Sequence, residues 1–61
     1  MILVDGRIKF VFRQLTDGEW QEQMYTRHNG EWMLRHVVWN MTDENANIVI
    51  EALKEIGFTA V

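Results

Sequence analysis

The stretch Leu15-Thr16-Asp17-Gly18-Glu19-Trp20-Gln21-Glu22-Gln23-Met24-Tyr25-Thr26-Arg27-His28-Asn29-Gly30-Glu31-Trp32 decides the fold. It holds two turn dipeptides, Asp17-Gly18 and Asn29-Gly30, each followed by Glu-Trp, and a third, Asp5-Gly6, stands at the same spacing upstream. In a two-residue type I′ turn both central residues take positive φ, which Asn, Asp and Gly tolerate best, and the twist of the turn matches that of the strands it joins. The spacing therefore predicts a four-stranded antiparallel meander, with strands near 2–4, 7–15, 19–27 and 32–41. The repeated Glu-Trp is hairpin grammar, since a solenoid needs more copies.

Two-residue loops also predict which residues oppose each other. Leu15 is set against Trp20, Arg13 against Glu22 and Val11 against Met24; on the other hairpin Tyr25 meets Leu34, Arg27 meets Trp32, Met24 meets Arg35 and Trp20 meets Trp39. Because side chains alternate along a strand, one face collects Leu3, Ile8, Phe10, Phe12, Tyr25, Trp32, Leu34 and Val38, with Gln21, Gln23 and His36 toward one end. The other collects Val4, Val11, Leu15, Trp20, Met24, Met33, Val37 and Trp39, interleaved with Arg7, Lys9, Arg13, Glu22 and Arg35.

The last third reads as a helix. Thr42 or Asp43 supplies an N-cap oxygen, and the Asp43 and Glu44 carboxylates sit at the positive end of the helix dipole. Ala46, Val49, Ile50, Leu53 and Ile56 recur at i, i+3, i+4, i+7 and i+10, an apolar stripe flanked by polar residues. Gly57 stands where a left-handed residue ends a helix, Phe58 is placed to fold back on the last turn, and Thr59-Ala60-Val61 returns as a short strand. The fold class is α+β in one domain over 1–61: a four-stranded antiparallel β-meander with one C-terminal α-helix packed on one face, and a short final strand. A helix of about fourteen residues spans roughly 21 Å and covers one side of such a sheet. It belongs on the first face, since on the second its apolar stripe desolvates basic side chains without partners. The second face is left open.

Composition narrows the functional classes. With 61 residues, 48% of them hydrophobic and 25% charged, the chain is an ordered but small domain, of the size that gains from self-association. It has no cysteine, which suits a cytoplasmic protein, and no apolar run approaching a membrane span. Its net charge of −3 is concentrated after residue 40, where Asp43, Glu44, Glu51 and Glu55 face Lys54 alone. Serine is absent too, so the usual acyl-transfer nucleophiles are missing, and each glycine is spent on a turn or the helix end rather than on a phosphate loop. The carboxylate pairs Asp17/Glu19 and Asp43/Glu44 have structural uses at a turn and a helix start. His28 and His36 are too few for a metal centre. No enzyme and no cofactor is expected.

Trp, Met and Arg on an open sheet face are the residue types enriched at protein interfaces. The expected anchors are Trp20 and Trp39, with Met24, Leu15 and Val37 as the apolar wall and Arg13, Arg35 and Glu22 as the charges that set specificity. The expected partner is a second copy, stacked about a two-fold axis with Arg13 or Arg35 reaching Glu22, or a different protein. The latter would make the chain an inhibitor or adaptor of the kind phages encode against host enzymes. The alternative is a nucleotide or nucleic acid stacked on the same Arg/Trp face. In outline, three strands followed by one helix over residues 7–57 resembles the integrase-type DNA-binding domains, which read the major groove with Arg and Trp on the sheet; that resemblance implies a DNA face here. The chain departs from such domains in its acidity and in placing Glu22 within that face.

Overall fold

Each predicted turn joins two strands, but only one is of the predicted type. The computed structural model describes residues 1–61, with strands β1 (Ile2–Asp5), β2 (Ile8–Gln14), β3 (Trp20–His28), β4 (Glu31–Met41) and β5 (Thr59–Ala60), and one helix, α1 (Asp43–Glu55), between β4 and β5. At Asn29-Gly30 both residues take positive φ, 52° and 79°, and His28 opposes Glu31, as a type I′ turn requires. At the first turn Asp5 opposes Ile8, so the two-residue loop is Gly6-Arg7. Only Gly6 has positive φ there, the sign pattern of type II′.

The middle turn is longer. Gly18 N–H donates to Leu15 C=O at 3.0 Å and Leu15 N–H donates to Glu19 C=O at 2.7 Å, with Gly18 at φ 86°. This is a type I turn closed by a left-handed glycine and a bulge, a three-residue loop of Thr16-Asp17-Gly18. The Asp17 carboxylate steadies it by accepting Glu19 N–H at 2.9 Å.

That one residue overturns part of the predicted face assignment. Gln14 opposes Trp20, Phe12 opposes Glu22 and Phe10 opposes Met24, a slip of one position in β3 against β2. With a side-chain period of two, a one-residue slip exchanges the faces of a strand. Trp20, Glu22 and Met24 therefore join Leu3, Phe10 and Phe12, while Gln21, Gln23 and Tyr25 lie on the opposite side. Across the Asn29-Gly30 turn the pairs Arg27/Trp32 and Tyr25/Leu34 form as predicted. They are carried to the side opposite the one expected, because β3 is turned over.

Strand β4 then shifts register twice. Met24 opposes His36 instead of Arg35, and Trp20 opposes Met41 instead of Trp39. Arg35 is the extra residue of the first irregularity. The second lies at Trp39-Asn40, where Asn40 takes φ 59°, a left-handed conformation that asparagine accepts more readily than most residues. These bulges bring Val38 and Met41 onto the helix side and leave Val37 and Trp39 opposite.

The sheet order is β4-β3-β2-β1-β5, all neighbours antiparallel. Helix α1 lies on the Leu3/Phe12 face, as its apolar stripe predicts. Thr42 is the N-cap, its hydroxyl accepting Asn45 N–H at 3.1 Å; such a cap contributes about 1 kcal/mol. At the other end Phe58 N–H bonds Leu53 C=O at 3.0 Å and Gly57 N–H bonds Lys54 C=O at 3.2 Å. With Gly57 at φ 112°, this is the Schellman closure predicted from the sequence.

Leu3, Phe12, Met41, Ala46, Ile50, Leu53 and Phe58 form the buried core, with Phe10, Trp20, Val38 and Val49 packed around it. Phe10 meets Phe58 edge-on at 5.4 Å between ring centres. The stripe ends at Leu53. Ile56, expected on it, is the C-cap residue and is 70% exposed. No helix is long and apolar enough to cross a membrane.

Candidate interaction face

The helix-free side of the sheet is built from cross-strand rows. Val4, Lys9, Tyr25 and Leu34 lie in register in one row, and Ile2, Val11, Gln23 and Val37 in the next. Arg13 and Gln21 continue toward the Asp17 turn, with Trp39 beyond them on β4, and Arg27 and Trp32 lie toward the Asn29 turn. Within this face Leu34 is 51% and Trp39 59% exposed. Nothing in the chain covers them, because the single helix is committed to the other side.

The face has an internal order of its own. Tyr25 Oη donates to Gln23 at 2.7 Å and Gln23 donates its amide to Gln21 at 3.0 Å, a polar ladder running up β3. Lys9 Nζ sits 4.7 Å from the centre of the Tyr25 ring and 4.8 Å from that of Trp32, and the Arg27 guanidinium stands 5.5 Å from Trp32. Cations over aromatic faces are attracted by the ring quadrupole. Arg27 N–H also donates to Arg7 C=O at 2.8 Å, which brings two arginines together at the turn end. Like charges so placed oppose each other unless an anion lies between them.

Of the residues expected to bind, Arg13, Val37 and Trp39 are on this face, and Leu15 follows Arg13 at its turn end, half-buried. Trp20, Met24, Glu22 and Arg35 are not. The slipped register puts Trp20 against the core, where its indole N–H donates to the Asp43 carboxylate at 2.5 Å and ties β3 to the first turn of α1. Arg35 points to the helix side, its Nε donating to Thr26 Oγ1 at 2.8 Å. Glu22 shares that side with His36; partial burial raises its carboxyl above the usual carboxylate range, while the His36 imidazole acts in the opposite direction. Neither tryptophan opposes the other, so the predicted Trp20/Trp39 pair does not form.

Tyr25, Trp32 and Leu34, expected on the covered face, are what the sequence reading missed, and with them their grouping with Lys9 and Arg27. The signal available was the alternation of Gln21, Gln23 and Tyr25 against Trp20, Glu22 and Met24. Each set carries one aromatic and at least one strongly polar residue, so alternation alone does not orient the strand.

Asp17 and Asp43 are engaged in the hydrogen bonds described above, and no three His, Cys, Asp or Glu residues gather in a way that holds a metal ion. Comparison of the chain with protein-family models, with curated proteins and with solved structures gives no match in any of the three.

Proposed function

We propose that this chain is a non-enzymatic binding module that engages another protein surface through the helix-free face, centred on Tyr25, Trp32, Leu34, Val37 and Trp39. The observation that carries the reading is the uncovered state of that face. An ellipse with the molecule's two longer axes, 35 and 22 Å, encloses about 600 Å², so a partner covering it buries on the order of 1,200 Å² in total, a standard interface. Trp39 and Leu34 supply apolar anchors, and Arg13 and Arg27 charge-assisted contacts at either end. An inhibitor or adaptor role fits such a surface.

The cations give weight to one second reading, a nucleic acid. Lys9, Arg13 and Arg27 stand beside Tyr25, Trp32 and Trp39, and Glu22, which stood against this reading, lies on the other side of the sheet. Both readings are tested with Leu34→Glu/Trp39→Ala, a pair of exposed positions whose replacement leaves the core intact. Affinity capture by the wild type, lost in this variant while the far-UV circular dichroism stays native, supports the protein reading. Capture that survives the substitutions overturns it. Titration with a single-stranded oligonucleotide at two salt concentrations decides the alternative, for which affinity falls steeply with salt.

A further inference from the structure

Cations predominate on the open sheet face and carboxylates on the helix flank. Lys9, Arg13 and Arg27 lie on the open sheet face with Arg7 beside them at the turn, and none is within ion-pair distance of a carboxylate. Glu44, Glu51 and Glu55 line the outward flank of α1, on the far side of the molecule. The sole ion pair, Lys54 to Glu51 at 4.0 Å, runs along that helix. The same flank carries the molecule's recessed surface, a shallow open depression where Ile48 and Ala52 lie among Glu44, Asn47, Glu51 and Glu55. Ile48 is 60% exposed there, on the side of the helix opposite the buried Ile50 and Leu53.

We infer that the acidic flank of α1 in one copy docks on the basic open sheet face of a second copy. The inference rests on the proposed reading of the sheet face as a protein-binding surface and names its occupant. The surfaces match in sign, with carboxylates around an apolar depression on one and cations around protruding Leu34 and Trp39 on the other. They match in length, because a helix of 13 residues spans about 20 Å and the molecule measures 22 Å along its middle axis. Stacking two sheet faces on each other fails the same comparison: it sets Lys9, Arg13 and Arg27 of one copy against those of the other. The carboxylate expected to neutralise them, Glu22, is on the wrong side. Docking a helix on the open face also adds a third layer, a helix–sheet–helix arrangement in which the apolar surface is covered on both sides. Since helix flank and sheet face are different surfaces, a docked pair retains one free surface of each kind, and the assembly extends as a ring or a filament.

The test is sedimentation velocity across a hundredfold range of protein concentration. The wild type is compared with a helix variant, Glu51→Lys/Glu55→Lys, and a sheet variant, Arg13→Glu/Arg27→Glu. All four positions are exposed, and lysine near a helix C-terminus suits the dipole, so the fold is retained; circular dichroism checks this. The expected result is concentration-dependent growth of the wild type, weakened at least tenfold on going from about 0.1 to 1 M salt as the screening length falls from about 10 to 3 Å. Each variant alone is at least tenfold weaker. An equimolar mixture of the two recovers association, because both contacts are then between opposite charges. A wild type that stays monomeric throughout overturns the inference and leaves the capture experiment to judge the sheet face. Growth that is lost in Leu34→Glu but unchanged in the helix variant overturns the occupant and keeps the face. Growth indifferent to all of these substitutions overturns both.

Discussion

The two tryptophans that the sequence places together behave as opposites in the folded chain, and replacing each in turn measures the difference. Trp20 is half-buried against the core and bonded to Asp43; Trp39 projects from the sheet. A tryptophan in a core contributes 150–250 Å² of buried surface. For a half-buried ring, truncation to alanine removes about 120 Å² of apolar contact, about 3 kcal/mol at 25 cal/mol per Å². The lost indole hydrogen bond adds about 1 kcal/mol. A domain of this size has roughly 3–9 kcal/mol of stability in total, so Trp20→Ala brings the chain close to unfolding. Trp20→Phe is the quantitative variant. It keeps an aromatic ring, loses the bond to Asp43 and part of the bicycle, and costs about 1.5 kcal/mol, a fall in Tm of about 6–12 °C.

Trp39→Phe and Trp39→Ala touch no core residue and change stability by less than about 0.5 kcal/mol. The assay is thermal and urea unfolding followed by far-UV circular dichroism, which does not depend on the residue being replaced. A Trp39 variant that costs more than the matching Trp20 variant would refute the register on which the open face is built. The two-residue reading of the Asp17-Gly18 turn would then return.

Two further outcomes probe the same geometry. Deleting Thr16 shortens the three-residue loop to Asp17-Gly18 while leaving Leu15 and Glu19 as the closing pair, so the variant folds with stability within about 1 kcal/mol of the parent; unfolding on deletion would mean that Thr16, not Leu15, faces Glu19. Glu22→Gln stabilises the protein at neutral pH and leaves it unchanged in acid. The folded carboxyl has a raised pKa, so below the unfolded value both states are protonated and Glu22 costs nothing. As pH rises through the window between the two values, only the unfolded state gives up its proton freely, and wild-type stability falls. Urea midpoints of both proteins across that range should diverge upward with pH, and parallel curves would show that Glu22 is not desolvated.

Much of this fold was legible in the residues. The turn dipeptides mark the hairpins because the glycine of each supplies the left-handed φ that a tight turn needs. The helix is bounded by a threonine that caps and a glycine that reverses the chain, and both act as read. Strands β1 and β2 are oriented correctly because Leu3, Phe10 and Phe12 alternate with Lys9 and Arg13 without ambiguity.

The candidate face was only partly legible. Asp-Gly is compatible with a two-residue type I′ loop and with a three-residue loop closed by left-handed glycine, since glycine takes positive φ in both, and no local residue separates them. The loop is decided at a distance. The three-residue form puts Trp20 over the core within reach of Asp43, where the two-residue form would have left Gln21 and Gln23 under the helix. The bulges of β4 are also settled by packing, since they are what deliver Val38 and Met41 to α1 from a strand whose sequence is apolar on both sides.

The Schellman closure at Gly57 reaches beyond the helix it ends. By reversing the chain there it lays Thr59 and Ala60 alongside Val4 and Leu3, so the second strand of the chain to touch β1 is drawn from the opposite end of the sequence. During synthesis β1 can pair with β2 almost at once, yet its outer edge stays bare until α1 has formed and turned. A cap defect in this chain therefore has a second cost besides frayed helix ends. It lengthens the interval in which an unpaired edge is open to other chains, and the damage should appear as lost yield on refolding at high concentration before it appears as a lower melting temperature.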